Sequence, residues 1–132
     1  MTLSRQLIEP KNPALDPSRK SGLPLSPAVR GGDFVFISGM AAIDPAIGEP
    51  AHGTVAAETR QILTNMAQLL EGAGSSLAKV VKVNVLIYSM LEYANMNSVY
   101  REFFPADPPA RTVCGVTLIG GHKVEIECIA LA

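Results

Sequence analysis

Pro108-Pro109-Ala110-Arg111-Thr112-Val113-Cys114-Gly115-Val116, answered downstream by Lys123-Val124-Glu125-Ile126-Glu127-Cys128-Ile129-Ala130, carries the two alternating runs on which the fold reading rests. Alternation of this kind marks strands, and Gly120-Gly121 between them is a turn signal, so the pair reads as a β-hairpin. Side chains at i, i+2 and i+4 of a strand share a face. Arg111, Val113 and Gly115 therefore form one side of the first strand, and Glu125, Glu127 and Ile129 one side of the second. With the turn centred at Gly120-Gly121, Gly115 falls opposite Glu125, and Arg111 and Glu125 stand roughly 13 Å apart on a shared face. That separation is too long for an ion pair. It suits a small pocket with a cation at one end, a carboxylate at the other, and Gly115 leaving room between. The ordinary reading of an Arg and a Glu on strands is a solvated edge pair. Against it, Pro108-Pro109 stiffen the approach to Arg111, and an arginine set in an apolar run usually has a defined anion to hold.

Upstream, Val80–Tyr88 is a β-branched run typical of a central strand, with Val81, Val83, Val85 and Ile87 on one face. Thr54 is placed to cap a helix reaching Glu71, whose stripe of Val55, Ile62, Met66, Leu69, Leu70 and Ala73 holds one face. Ser89 and Glu92 fit a capping box that opens a second helix with Tyr93, Met96, Val99, Tyr100 and Phe103 inward. Nearer the start, Phe34-Val35-Phe36-Ile37-Ser38-Gly39 reads as a buried strand paired through Gly31-Gly32-Asp33 with Pro24–Arg30. Residues 1–23 read as a short edge strand at Ser4–Glu9 and a Pro-rich loop over Pro10–Leu23. The predicted order is β-β-β-α-β-α-β-β: an α+β fold, one domain over 1–132, with a mixed sheet and two helices packed on one face. The opposite face is expected to carry Val80, Leu86, Cys114, Val116, Ile126 and Cys128, an apolar surface that a homo-oligomer would cover.

Composition narrows the function classes. Hydrophobic residues reach 48% against 17% charged, with no Trp, so the core is aliphatic and compact. A net charge of −1 from scattered charges argues against nucleic acid as a partner. No apolar run is long enough to cross a membrane, and Met1–Pro10 lacks the apolar core of a signal peptide. The two cysteines have no metal-binding or redox spacing, so reduced thiols in the cytoplasm are expected. His52 and His122 lie far apart in sequence and read as separate, solvent-exposed loop residues.

Several motifs then fall in a familiar order: Phe36-Ile37-Ser38-Gly39, Ile43-Asp44-Pro45 with Gly48-Glu49, Val81-Lys82-Val83-Asn84-Val85, Asn97 with Val99-Tyr100 and Phe103-Phe104, Pro109-Ala110-Arg111-Thr112, and Val124-Glu125-Ile126-Glu127. From about Pro24 to Ala130 the chain resembles the RidA (YjgF-type) reactive-intermediate deaminases. The resemblance implies a chorismate-mutase-like fold and a homotrimer with clefts between subunits. It also implies hydrolysis of small enamine or imine carboxylates such as 2-aminoacrylate to ammonia and a keto acid, without metal or other cofactor. By the same resemblance Arg111 binds the substrate carboxylate, Glu125 positions or activates water, and Ser38 and Gly39 line the cleft. Leu25 stands where the family often has Tyr, Val113 where it commonly has Cys, and Leu86 where an aromatic is frequent, as in a side branch with a different enamine. These three positions are expected to shape the substrate pocket. Glu127 shares a strand face with Glu125 and reads as a charge partnered across the sheet or at a subunit boundary. Two other readings stand beside the deaminase: a non-catalytic trimer that binds small carboxylates for regulation, and, with less support, an endoribonuclease or translation inhibitor.

Overall fold

The computed structural model describes residues 4–132; the first three, part of the segment screened above for a signal peptide, lie outside the described residues. In chain order the elements are β1 (Arg5–Ile8), α1 (Pro17–Ser21), β2 (Ala28–Gly31), β3 (Phe34–Met40), α2 (Val55–Gly72), β4 (Val80–Ile87), α3 (Tyr93–Phe103), β5 (Ala110–Gly115) and β6 (Val124–Leu131). The six strands form one sheet in the order β1-β2-β3-β6-β4-β5. Only the β4–β5 pair is parallel. No described helix is long and apolar enough to cross a membrane.

The expected C-terminal hairpin does not form. β6 pairs with β3 and β4, while β5 lies on the far side of β4 at the sheet edge. Alternation identifies a strand but not its partner, and here α3 is the crossover of a β-α-β unit, which returns the chain parallel to β4. Gly120 and Gly121, with φ of 67° and 73°, do turn the chain, but within a one-turn 3-10 helix (Ile119–Gly121) in a wider loop. That loop passes the end of β4: Val116 N–H donates to the Ile87 carbonyl at 2.9 Å, and Tyr88 N–H donates to the Lys123 carbonyl at 2.9 Å. β6 takes the interior because its Val124, Ile126, Cys128 and Ala130 side is continuously apolar and needs cover, whereas β5 is largely exposed.

The register overturns the predicted faces as well. Val83 stands beside both Arg111 and Cys128, and Leu86 stands beside both Glu125 and Cys114. Positions 83 and 86 differ by an odd number, so Arg111 and Glu125 point to opposite faces of the sheet. Ile126, Cys128 and Val80, expected on the open face, are buried under the helices instead. Val81, expected inside, is 39% exposed, because a register shift between Val80 and Lys82 turns it outward. Gly115 does not open a pocket between Arg111 and Glu125: it lies beside Ile87, where a β-carbon would come within 3.1 Å of Met90.

Both long helices cover one face, as the sequence predicted. Ile62, Leu63, Met66 and Leu70 of α2 and Met96 of α3 are completely buried against Val35, Val83, Val85, Ile87, Val124 and Ile126. Each such side chain contributes roughly 1.5–3 kcal/mol of transfer free energy. Thr54 caps α2 by accepting from Ala57 N–H at 3.1 Å. Ser89 caps a one-turn 3-10 helix (Met90–Glu92) that precedes α3, and the Glu92 carboxylate accepts from the Asn95 side chain. The Pro10–Leu23 segment is more ordered than a loop. Asn12 and Asp16 cap a 3-10 turn (Pro13–Leu15) and α1, each with a proline as first helical residue, where its missing N–H costs nothing. The uncovered face is rich in apolar side chains: Leu7, Phe34, Phe36 and Leu131 are each at least 40% exposed.

Candidate functional site

The two charged residues singled out from sequence belong to two separate cavities. Glu125 lines a cavity of about 450 Å³ together with Leu25, Ser38, Gly39, Met40 and His122. β3 and β6 build it through a bulge. Ile37 pairs with Cys128 and Met40 with Ile126, so Ser38 and Gly39 together oppose Glu127. The extra residue bends β3 and turns Gly39 toward Glu125. A β-carbon on Gly39 would lie 2.6 Å from Glu125 Oε2, so only glycine admits the carboxylate there. Ser38 is held in place by its neighbours: its N–H donates to the Pro27 carbonyl at 3.0 Å and its hydroxyl to the Ser26 carbonyl at 2.5 Å. Glu125 itself has no hydrogen bond or ion pair among the described residues, which leaves both oxygens to face the cavity.

Arg111 lies across the sheet beneath α3, in a cavity of about 440 Å³ shared with Tyr93, Asn97, Tyr100 and Pro109. Its guanidinium donates to Asn97 Oδ1 at 2.7 Å and to the Tyr93 hydroxyl at 3.0 Å. The Tyr100 ring faces it at 4.7 Å and the Tyr93 ring at 5.7 Å. All of these partners are neutral. No carboxylate lies within ion-pair distance of Arg111 among the described residues, so its charge is oriented but not neutralised. Burial pushes the Tyr100 hydroxyl up to about 12, with the Arg111 charge opposing the shift. Tyr93, Asn97 and Tyr100 fall at i, i+4 and i+7 of one helix face. That spacing was visible in the sequence, where the two tyrosines read only as core.

The remaining predicted residues are placed less directly. Leu25 borders the Glu125 cavity. Val113 is on the helix face and packs against the core, lining neither cavity. Leu86 is next to Glu125 in the ladder but on the open sheet face rather than in either cavity. Glu127 accepts a 2.8 Å hydrogen bond from the Asn84 side chain on the adjoining strand, a partner across the sheet as expected.

Sequence reading missed one cluster altogether. His52 and His122, expected as separate exposed residues, have ring centroids 4.8 Å apart, and His122 is only partly exposed. Glu58, completely buried, lies with them. Burial, with His52 beside it, lowers the His122 pKa from its usual value, while Glu58 and Glu125 pull the other way. Seventy residues separate the two histidines, and no local pattern links them.

Comparison with known proteins agrees with this architecture. The chain matches the family described as Endoribonuclease L-PSP over residues 18–132. A RutC family protein of Pyrococcus horikoshii is 43% identical over 108 residues, covering 81% of this chain and 86% of that protein. The 2-iminobutanoate/2-iminopropanoate deaminase of Bos taurus is 38% identical over 109 residues, covering 82% of this chain and 80% of that protein. Among solved structures, the Rid family protein YyfA of Yersinia pestis matches with a TM-score of 0.86 at 31% identity, covering 98% of this chain and 100% of that one. This likeness bears out the α+β, chorismate-mutase-like fold. A family match over most of the chain, with relatives at this level of identity, shows that the chain belongs to the RidA (YjgF-type) family.

Proposed function

We propose that this protein is a hydrolytic deaminase of small enamine and imine carboxylates, of the 2-aminoacrylate kind, working at sites shared between subunits of a homotrimer. The observation that carries the reading is the guanidinium of Arg111, gripped by a neutral amide and two tyrosines with no acidic partner among the described residues. A cation so oriented is prepared for a carboxylate, which it can hold through two parallel hydrogen bonds. Glu125 faces the other way in the same chain, so a complete site takes Arg111 from one subunit and Glu125 from the next. The apolar open sheet face offers a surface for that association.

In the proposed reaction the enamine tautomerises to the imine while its carboxylate rests on Arg111. Glu125 takes a proton as water adds to the imine carbon, and returns one as the carbinolamine C–N bond breaks, releasing ammonia and leaving the keto acid. The substrate is already reactive, so positioning and one proton-handling carboxylate supply most of what catalysis needs. Ser38, Gly39 and Leu25 would shape the wall around the reacting carbon. Relatives named imine deaminases support the reaction class.

Keto-acid and ammonia release from enzymatically generated 2-aminoacrylate tests the proposal. Arg111→Ala and Glu125→Gln are each expected to lower kcat/KM by about 100-fold or more, the scale of a lost charge-assisted contact. Equal rates in variants and wild type would overturn it. A non-catalytic carboxylate-binding trimer uses the same Arg111 geometry, and would show calorimetric binding of 2-ketobutyrate with no turnover of any enamine. The endoribonuclease reading has the least support, since 11 basic against 12 acidic residues leave no excess of positive charge for a polyphosphate backbone.

A further inference from the structure

We infer that His52, Glu58 and His122 form a binding site for a divalent transition-metal ion such as Zn²⁺. The whole chain contains only two histidines, and the fold brings both to one carboxylate. They come from three segments: the loop before α2, the first turns of α2, and the turn before β6. One potential ligand atom from each residue lies within 4.8 Å of the other two. Bonds of ~2.1 Å to zinc place ligand atoms roughly 3.4 Å apart in a tetrahedral site, so the three would draw together by roughly 1 Å on binding.

The carboxylate is held where a ligand should be. Glu58 Oε1 accepts from Lys123 N–H at 2.9 Å, and Oε2 accepts from Gly53 N–H at 3.1 Å. Each oxygen keeps a lone pair after these bonds. The two donors belong to the residues that directly follow His122 and His52, so a single carboxylate fixes both histidine-bearing turns. These hydrogen bonds account for the burial of Glu58 but for neither imidazole. Among the described residues His122 Nδ1 is buried without a hydrogen-bond partner, a costly state for a ring nitrogen, which a metal bound through that atom would relieve. Lys123 Nζ donates to the Gly53 carbonyl at 2.6 Å and forms an ion pair with Glu58 Oε2 at 3.7 Å, so a bound cation would share the carboxylate with it.

Two imidazoles and one carboxylate make a donor set for borderline cations such as Zn²⁺, Co²⁺ or Ni²⁺ rather than Mg²⁺ or Ca²⁺. His122 is three residues before Glu125 and borders the same cavity, so an ion here would brace the turn that leads into β6. The site stands independently of the deaminase reading, because binding is measured without substrate.

The test uses the full chain, freed of metal with a chelator and titrated with Zn²⁺ by calorimetry and with Co²⁺ by visible absorption. One ion per chain is expected, with a cobalt spectrum of nitrogen and oxygen ligation. Thermal unfolding should shift upward with saturating Zn²⁺. His52→Ala removes an exposed ligand without disturbing the core and should weaken Zn²⁺ binding at least tenfold, and His122→Ala should do the same. Absence of Zn²⁺ binding to the wild type, unchanged affinity in both variants, or an intense thiolate band showing ligation by Cys114 would each overturn the inference.

Discussion

The role proposed for Arg111 rests on what surrounds it rather than on its charge alone. Asn97 holds one arm of the guanidinium at 2.7 Å, and Tyr100 fixes its plane from one side. Asn97→Ala should therefore loosen the cation without removing it. We expect KM to rise about tenfold with kcat nearly kept, the signature of binding lost equally from ground and transition states. Steady-state kinetics at saturating and limiting substrate would separate the two. Cys128 makes the opposite case, a titratable group with no task. Burial, reinforced by the neighbouring Glu127 charge, pushes its thiol up to about 12 from the ordinary 9.0. The folded protein then keeps a proton that the unfolded chain releases above pH 9. Stability from this residue is complete below that pH and is lost as pH rises toward 12, and Tyr100 adds the same sign above pH 10. Urea midpoints should fall across that window, and Cys128→Ala should flatten the fall. Arg111 could be singled out in sequence, because an arginine in an apolar run after two prolines needs a reason. Its three aromatic and amide neighbours were legible only as helix positions.

At the scale of elements, the bulge in β3 decides the Glu125 cavity. Ser38 and Gly39 share one partner position, and the missing side chain at 39 leaves space for the carboxylate. Gly39→Ala is expected to displace the flexible end of Glu125 and leave the sheet intact. The measurement is a pair: activity should fall by about 10²-fold or more while the urea midpoint moves little, since only a side-chain tip must give way. Unchanged activity would mean that Glu125 works from another position. The helices and most strand spans could be read from the chain, because caps, prolines and periodicity are local signals. Thr54 capped α2 where expected, and the Gly31-Gly32-Asp33 turn joined β2 to β3. Strand partners could not be read. The Gly120-Gly121 turn has the composition of a hairpin, yet it bends a loop that crosses the end of β4.

For the whole molecule, the opposed faces of Arg111 and Glu125 make a prediction that no single-chain site can match. Arg111→Ala and Glu125→Gln should each keep at most about one hundredth of the activity alone, but chains mixed by co-refolding should recover activity. In a random mixture about one quarter of the interfaces would pair an intact arginine with an intact glutamate. Recovery near that level, with a trimer by light scattering, supports shared sites; no recovery from well-mixed oligomers counts against them. The sequence by itself determined the order of the strands and the two long helices, the buried stripe of α2 and the family resemblance, and it singled out the two charged residues, because each is written in local spacing or residue type. Only the tertiary structure decided which strand lies beside which, and therefore which face each charge occupies. It alone also brought His52 to His122 across 70 residues. Strand pairing and such meetings arise from competition among all apolar faces for one interior, and that competition is settled by the folded whole rather than by any single stretch.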